Sequence, residues 1–208
     1  MKNCLVIDLE RCTGCDTCVA ACKHWHNIDL GVYRNRVSAI GPMGTYPNVS
    51  MYWLPMQCQQ CENPGCIAVC PTGASYRDEE TGVVLINEEE CIGCQSCMTG
   101  CPYGVRWYNA NTNKVDKCTL CFEDHIAEPD APWEPACVHN CCTGARIFGD
   151  LDDPESPAAK AVAAAGEENC HKLDDIDGVG PSSVYILSRT AEWQPWSDPS
   201  IEVRRYEK

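Results

Sequence analysis

Four cysteine groups spread over residues 12–141 constrain this chain more than any other feature. They read Cys12-x2-Cys15-x2-Cys18-x3-Cys22, Cys58-x2-Cys61-x4-Cys66-x3-Cys70, Cys91-x2-Cys94-x2-Cys97-x3-Cys101 and Cys118-x2-Cys121-x15-Cys137-x3-Cys141. The first and third match the spacing by which bacterial ferredoxins hold [4Fe-4S] clusters, and the third also carries the Pro that ends that run. The reason is mechanical. A cubane presents four irons at tetrahedral corners, and a tight loop with cysteines three apart reaches three of them. The fourth cysteine, on the helical turn that follows, points away and reaches a neighbouring cluster. Such loops also aim backbone N–H groups inward at the anionic sulfides.

Two other cysteine chemistries compete. Nineteen cysteines in 208 residues, with only two Phe, indicate a core leaning on cross-links rather than apolar burial. Disulfides fit poorly, because the count is odd and the chain is long for a disulfide scaffold. The N-terminus also does not read as a signal peptide: Lys2 is followed by no apolar stretch before Asp8-Leu9-Glu10-Arg11. Zinc favours closed sites of four N or S ligands built from C-x2-C pairs or Cys/His mixtures, and no His repeats at ligand spacing here.

Internal repetition pairs the groups. After the last cysteine the second, third and fourth groups run Cys70-Pro-Thr-Gly73-Ala74, Cys101-Pro-Tyr-Gly104-Val105 and Cys141-Cys142-Thr-Gly144-Ala145, and each Gly precedes a short strand-like run. This alignment sets Cys141, not Cys142, on Cys70 and Cys101. The second and third groups are close in sequence, and Gly73 to Asn87 between them reads as a hairpin with its turn at Asp78–Gly82. They form one two-cluster unit, and the first and fourth form another around it. Crossed ligation then gives Cys12, Cys15, Cys18 and Cys141 for cluster 1, and Cys58, Cys61, Cys66 and Cys101 for cluster 2. Cluster 3 takes Cys91, Cys94, Cys97 and Cys70; cluster 4 takes Cys118, Cys121, Cys137 and Cys22. Four [4Fe-4S] clusters thus occupy sixteen cysteines as iron ligands, leaving Cys4, Cys142 and Cys170.

The expected fold is α+β: two interleaved ferredoxin-like units of βαβ type with small antiparallel sheets, loop insertions and a C-terminal extension. Residues 1–57 with 102–150 make the outer unit, 58–101 the inner unit and 151–208 an extension that docks on a partner. Within that extension, Ser156-Pro157 to Gly166 reads as a capped helix and Ser183–Ser188 as a strand. Trp193 and Trp196 make the end of the chain too aromatic for a simple linker.

The four groups in this order, with Ile7-Asp8-Leu9-Glu10-Arg11-Cys12-Thr13-Gly14-Cys15, Cys61-Glu62-Asn63-Pro64 and Cys101-Pro102-Tyr103-Gly104, resemble the iron–sulfur electron-transfer (beta) subunits of the dimethyl sulfoxide reductase superfamily. Gly144-Ala145-Arg146-Ile147-Phe148-Gly149-Asp150 is most similar to the polysulfide, thiosulfate and arsenate reductase branch. The resemblance implies a non-catalytic subunit of anaerobic respiration. It would relay electrons between a molybdenum or tungsten bis-pyranopterin (molybdopterin-type) catalytic subunit and a membrane quinone-reactive anchor or other redox partner. It further implies that the Cys12 cluster faces the catalytic subunit, with the Cys118 cluster at the far end. Members without a signal often travel folded with an exported partner, so the expected location is the extracytoplasmic, periplasmic face of the membrane, with the cytoplasm as alternative. The competing function is a free-standing polyferredoxin.

Formal charge of −14 argues against nucleic acid as a partner, and no apolar run approaches the ~18 residues of a membrane span. Outside the groups, Cys4 in Cys4-Leu5-Val6-Ile7 reads as a core thiol and Cys170 as a bystander. His24, His26 and His139 read as solvated helix ends rather than proton-coupling groups. Lys117 and Arg106 either offset thiolate charge near a cluster or are ordinary surface bases. The insertion between Cys121 and Cys137, acidic and Pro-rich from Glu128 to Pro135, reads as a surface loop, and Trp107 and Trp133 as shields against water.

Overall fold

Residues Asn3–Asp8 form β1, and the run Cys4-Leu5-Val6-Ile7 is wholly buried. A strand apolar on both faces belongs inside a sheet. The computed structural model, which describes residues 1–188 and 191–194 and the backbone of 203–204, puts it there. The elements that follow are α1 (Thr17–Trp25), β2 (Arg36–Thr45), β3 (Asn48–Met56), α2 (Gly65–Ala68), β4 (Ser75–Arg77), β5 (Val84–Ile86), α3 (Ser96–Thr99), β6 (Trp107–Asn109) and β7 (Lys114–Asp116). Then come α4 (Phe122–Ala127), α5 (Ala136–His139), β8 (Arg146–Asp150), α6 (Pro157–Ala165), β9 (Cys170–His171), β10 (Val184–Ile186) and β11 (Val203–Arg204).

The first sheet has the order β8-β1-β10-β9. Its β1 pairs antiparallel with β8, Leu5 opposite Phe148, and parallel with β10, Val6 opposite Val184. Two hairpins, β4–β5 and β6–β7, are the small antiparallel sheets expected beside the second and third cysteine groups. The helices α2, α3 and α5 are single turns, each carrying one cysteine of its group, so they set cysteine direction rather than build a core. Leu5, Ile7, Leu54, Met56, Tyr103 and Tyr185 centre the main apolar cluster, which the cysteines Cys18, Cys58, Cys118 and Cys137 extend.

The long hairpin of β2 and β3 has no counterpart in the sequence expectations. It pairs Arg36 with Met56 through Thr45 with Asn48, with a register shift between Ile40 and Met43. The C-terminal extension is built into the first sheet over its described part. Its capped helix forms as α6: the Ser156 hydroxyl accepts from the Ala159 N–H at 3.1 Å, Pro157 follows and Gly166 ends it. Helix α6 packs Ala158 against Val6, Val184 and Ile186, so 151–188 completes the first sheet. Trp193 stacks on His171, ring centroids 5.0 Å apart, within the protein. Trp196 lies outside the described residues. The insertion after Cys121 is only partly a surface loop. Its first residues form α4 with Phe122 buried, while the Trp133 indole N–H donates to the Leu120 carbonyl at 2.8 Å.

Candidate iron–sulfur sites

The cysteine loops depend on backbone conformations that L-residues seldom adopt. In the first loop Gly14 and Asp16 have φ of 66° and 58°. At the equivalent places in the third, Gly93 and Gln95 have 68° and 63°. Gln60, Leu120 and Cys121 add further left-handed residues in the second and fourth groups. At the non-glycine positions such conformations each cost on the order of 1–3 kcal/mol, and they gather at functional sites. In the first loop the Trp53 ring of β3 lies directly over Gly14, where any Cβ would collide with it. The unforeseen hairpin therefore roofs a cysteine loop.

Three of the four expected foursomes each surround one cavity. Cys58, Cys61, Cys66 and Cys101 line a space of about 330 Å³, Cys70, Cys91, Cys94 and Cys97 one of about 320 Å³, and Cys22, Cys118, Cys121 and Cys137 one of about 310 Å³. These volumes include the part open to solvent. Nowhere among the described residues do three His, Cys, Asp or Glu side chains converge on a point fit for one metal ion. The thiols ring a space instead, as a multi-atom cluster requires and a single zinc does not. In the first group, Cys12 feels the charges of Cys141 and Cys15, and Cys18 that of Cys12. The exposed Cys142 sulfur lies 3.8 Å from that of Cys15, so the structure brings both Cys141 and Cys142 to this loop. No two of the nineteen cysteines are joined by a disulfide; Cys4 is fully buried, and burial pushes its thiol up to about 12.

Burial differs among the four sites in a way that orders them. Cys22, Cys118, Cys121 and Cys137 are all buried, whereas Cys15 of the first set and Cys94 of the third are exposed. Cys118 also feels the charge of Cys58, and the Gln60 side chain donates to the Cys118 carbonyl at 3.4 Å. The Cys118 site is therefore interior and lies beside Cys58 and Gln60 of the second group. Burial pushes the iron-free thiols of Cys22 and Cys121 up to about 11 and about 12, so metal binding must release protons there.

Three buried cations test whether clusters fit. Arg106, Lys117 and Arg146 are 5%, 0% and 3% exposed, which excludes the surface-base reading of Arg106 and Lys117. None makes an ion pair with a carboxylate among the described residues. Among the described residues Arg106 Nη1 and Arg146 Nε have no hydrogen-bond partner. A buried charge without a counter-ion is costly. Arg106 Nη2 does lie 3.0 Å from the Cys66 sulfur, and Arg146 Nη1 lies 3.6 Å from that of Cys137. Four thiolates around an iron–sulfide core of about +2 leave each ligated cluster at about −2, which supplies the missing negative charge, so the donor set, the cavities and the cations all fit.

Three features escaped the sequence reading. His26 is not a solvated helix end: its Nε2 lies 3.3 Å from the Cys121 sulfur, and burial holds it below the usual imidazole range. Its place one helical turn beyond Cys22 was the available signal. His24 and His139 are exposed, as expected. Next, four hydroxyls each face the sulfur two residues before them: Thr17 to Cys15 at 3.3 Å, Ser96 to Cys94 at 3.5 Å, Thr143 to Cys141 at 3.7 Å and Thr72 to Cys70 at 3.8 Å. The Thr17 hydroxyl leads in holding the Cys15 thiol down at about 7. A repeated Cys-x-Ser/Thr was legible for this. Last, Arg146 occupies the repeat position of Arg106.

Loops with sulfur-lined cavities, one-turn helices and short hairpins define an iron–sulfur protein. Two family models described as 4Fe-4S dicluster domains match residues 11–74 and 49–151. A sulfite dehydrogenase subunit of Allochromatium vinosum is 40% identical, over 89% of this chain and 82% of its own length. The thiosulfate reductase electron transfer subunit of Salmonella typhi is 41% identical over 71% and 76%. The arsenate respiratory reductase iron-sulfur subunit of a Shewanella species is 33% identical over 90% and 97%. The chain belongs to the iron–sulfur electron-transfer subunits of the dimethyl sulfoxide reductase superfamily of molybdoenzymes. It binds 4Fe-4S clusters and is a non-catalytic partner of a catalytic subunit.

Proposed function

We propose that the chain holds four [4Fe-4S] clusters on the sixteen cysteines of its four groups. They are cross-ligated in two interleaved units, with Cys141 rather than Cys142 completing cluster 1. The observation that carries this is the set of three cysteine-ringed cavities of near-equal volume, each drawing its fourth cysteine from the paired group. When bound, each cluster takes up and releases one electron. The protein's own part is to space the clusters in a row and keep water from the middle of it. The exposed Cys15 and Cys94 favour the first and third clusters as the two ends, and the buried Cys118 site favours the order 1–4–2–3.

The chain then wires a molybdenum or tungsten bis-pyranopterin catalytic subunit to a membrane quinone-reactive subunit. The relatives are named for sulfite, thiosulfate and arsenate, so similar wires serve different substrates and substrate choice rests with the partner. We place the complex on the extracytoplasmic face, reached by co-export. Among the described residues no helix is long and apolar enough to cross a membrane, so membrane attachment falls to the anchor. Anaerobic purification through a tag on this chain tests the assembly. A co-purifying large subunit with molybdenum or tungsten is expected, and a lone chain reducing several unrelated enzymes would overturn the reading.

A further inference from the structure

Each gap in the proposed row contains one buried basic side chain. Arg146 stands between the first and fourth sites, with Nη1 3.6 Å from the Cys137 sulfur and Cys18 among the thiols whose charge it feels. Asn35 and Gln57 hold its guanidinium in place, their side-chain oxygens accepting at 3.4 and 3.5 Å. Lys117 stands between the fourth and second. Its ammonium donates to the Cys118 carbonyl at 2.8 Å and to the Val84 carbonyl, and Val84 lines the Cys58 cavity. Arg106 stands between the second and third. It lines both inner cavities, with Nη2 3.0 Å from the Cys66 sulfur and 2.8 Å from the Ser75 hydroxyl.

Repetition makes the pattern more than coincidence. Arg106 and Arg146 each follow the last cysteine of their group by five residues, so the two units place the same residue type at the same internal junction. Ser75, which Arg106 binds, holds the matching position after Cys70. If these positions needed only hydrogen-bond donors, an amide would serve without the penalty of burying a charge. A cation here stabilises the more negative, reduced form of whatever lies on either side of it.

We infer that Arg146, Lys117 and Arg106 are bridging cations, one to each gap, each raising the reduction potentials of both clusters beside it. The inference rests on the four-cluster reading. Its test is a redox titration of the anaerobic holoprotein followed by electron paramagnetic resonance, with iron counted in the same samples. Arg146→Gln lowers two of four potentials, Arg106→Gln lowers the other two, and Lys117→Met lowers one from each pair. For each affected cluster the ratio of reduced to oxidised form at fixed ambient potential falls at least tenfold, which is 59 mV for a one-electron couple. Arg146→Lys and Arg106→Lys keep the charge but lack the reach of the guanidinium, so the same pairs move by less. These variants carry the test if a Gln variant loses iron. A shift in all four potentials, in one, or in none overturns the inference. A shortfall of iron in the wild-type protein would instead strike the four-cluster reading, so the two failures are separable.

Discussion

Gly93→Ala is a sharp probe of how closely the cysteine loops are built. Gly93 sits between Cys91 and Cys94 with φ of 68°, and a Cβ there would stand 2.3 Å from the Asn113 carbonyl oxygen in the β6–β7 turn. Gly73, in the Cys70 loop, has a similar φ of 73° but open space around it. Forcing Ala into the left-handed region costs about 1–2 kcal/mol, and at Gly73 that is the whole expected loss. At Gly93 the colliding atom is backbone. The turn carrying it is tied by the Tyr108 hydroxyl, which donates to the Asn113 side chain at 2.9 Å, and by Lys114, which donates to the Cys91 carbonyl. The loop must therefore shift, adding about 1–3 kcal/mol of overpacking. Urea denaturation followed through cluster absorbance compares the two variants. With m near 1–3 kcal/mol per molar, Gly93→Ala should lose its chromophore about 1 M urea earlier than Gly73→Ala. Equal midpoints with equal iron content would refute the reasoning.

Further outcomes follow from single contacts. Cys141→Ser should lose the signal of the first cluster while Cys142→Ser keeps it, read by iron analysis and electron paramagnetic resonance; the reverse would reassign the ligand. Ser156→Ala removes the α6 cap and should cost about 1 kcal/mol of stability in chemical denaturation. The Asp78 carboxylate accepts from the Thr81 hydroxyl and N–H at 2.6 and 2.7 Å, and the hydroxyl bond leads in holding it below the usual range. Its contribution is thus present above the unfolded value of about 3.9 and lost as pH falls through the depressed folded value. Thr81→Val should flatten that acid limb of the stability profile, and an unchanged profile would remove Asp78 from the account.

Spacing made the clustering of thiols legible because a cubane fixes ligand separation locally, and three-residue steps record it. The approach of Cys70 and Cys101 to the paired group's thiols was legible through the repeat, since Gly73 and Gly104 mark the same turn in both groups. The α6 helix announced itself through Ser156, Pro157 and Gly166. The β2–β3 hairpin did not. Pro42 and Pro55 lie inside its strands and Gly41 beside its bulge, residues that normally argue against a strand. Pairing of β10 with β1 joins residues far apart in the chain, and nothing local in Val184–Ile186 names its neighbour. The buried cations were visible as residues but not as buried, because burial of Lys117 depends on Val84 arriving from the inner unit.

The central claim is the cluster count. Anaerobically reconstituted protein, analysed for iron and acid-labile sulfide per chain and by Mössbauer spectroscopy, measures it without any partner. About sixteen iron and sixteen sulfide, all in the cubane spectral form, is the result expected of four [4Fe-4S] clusters. About eight of each, or iron without labile sulfide, would contradict it.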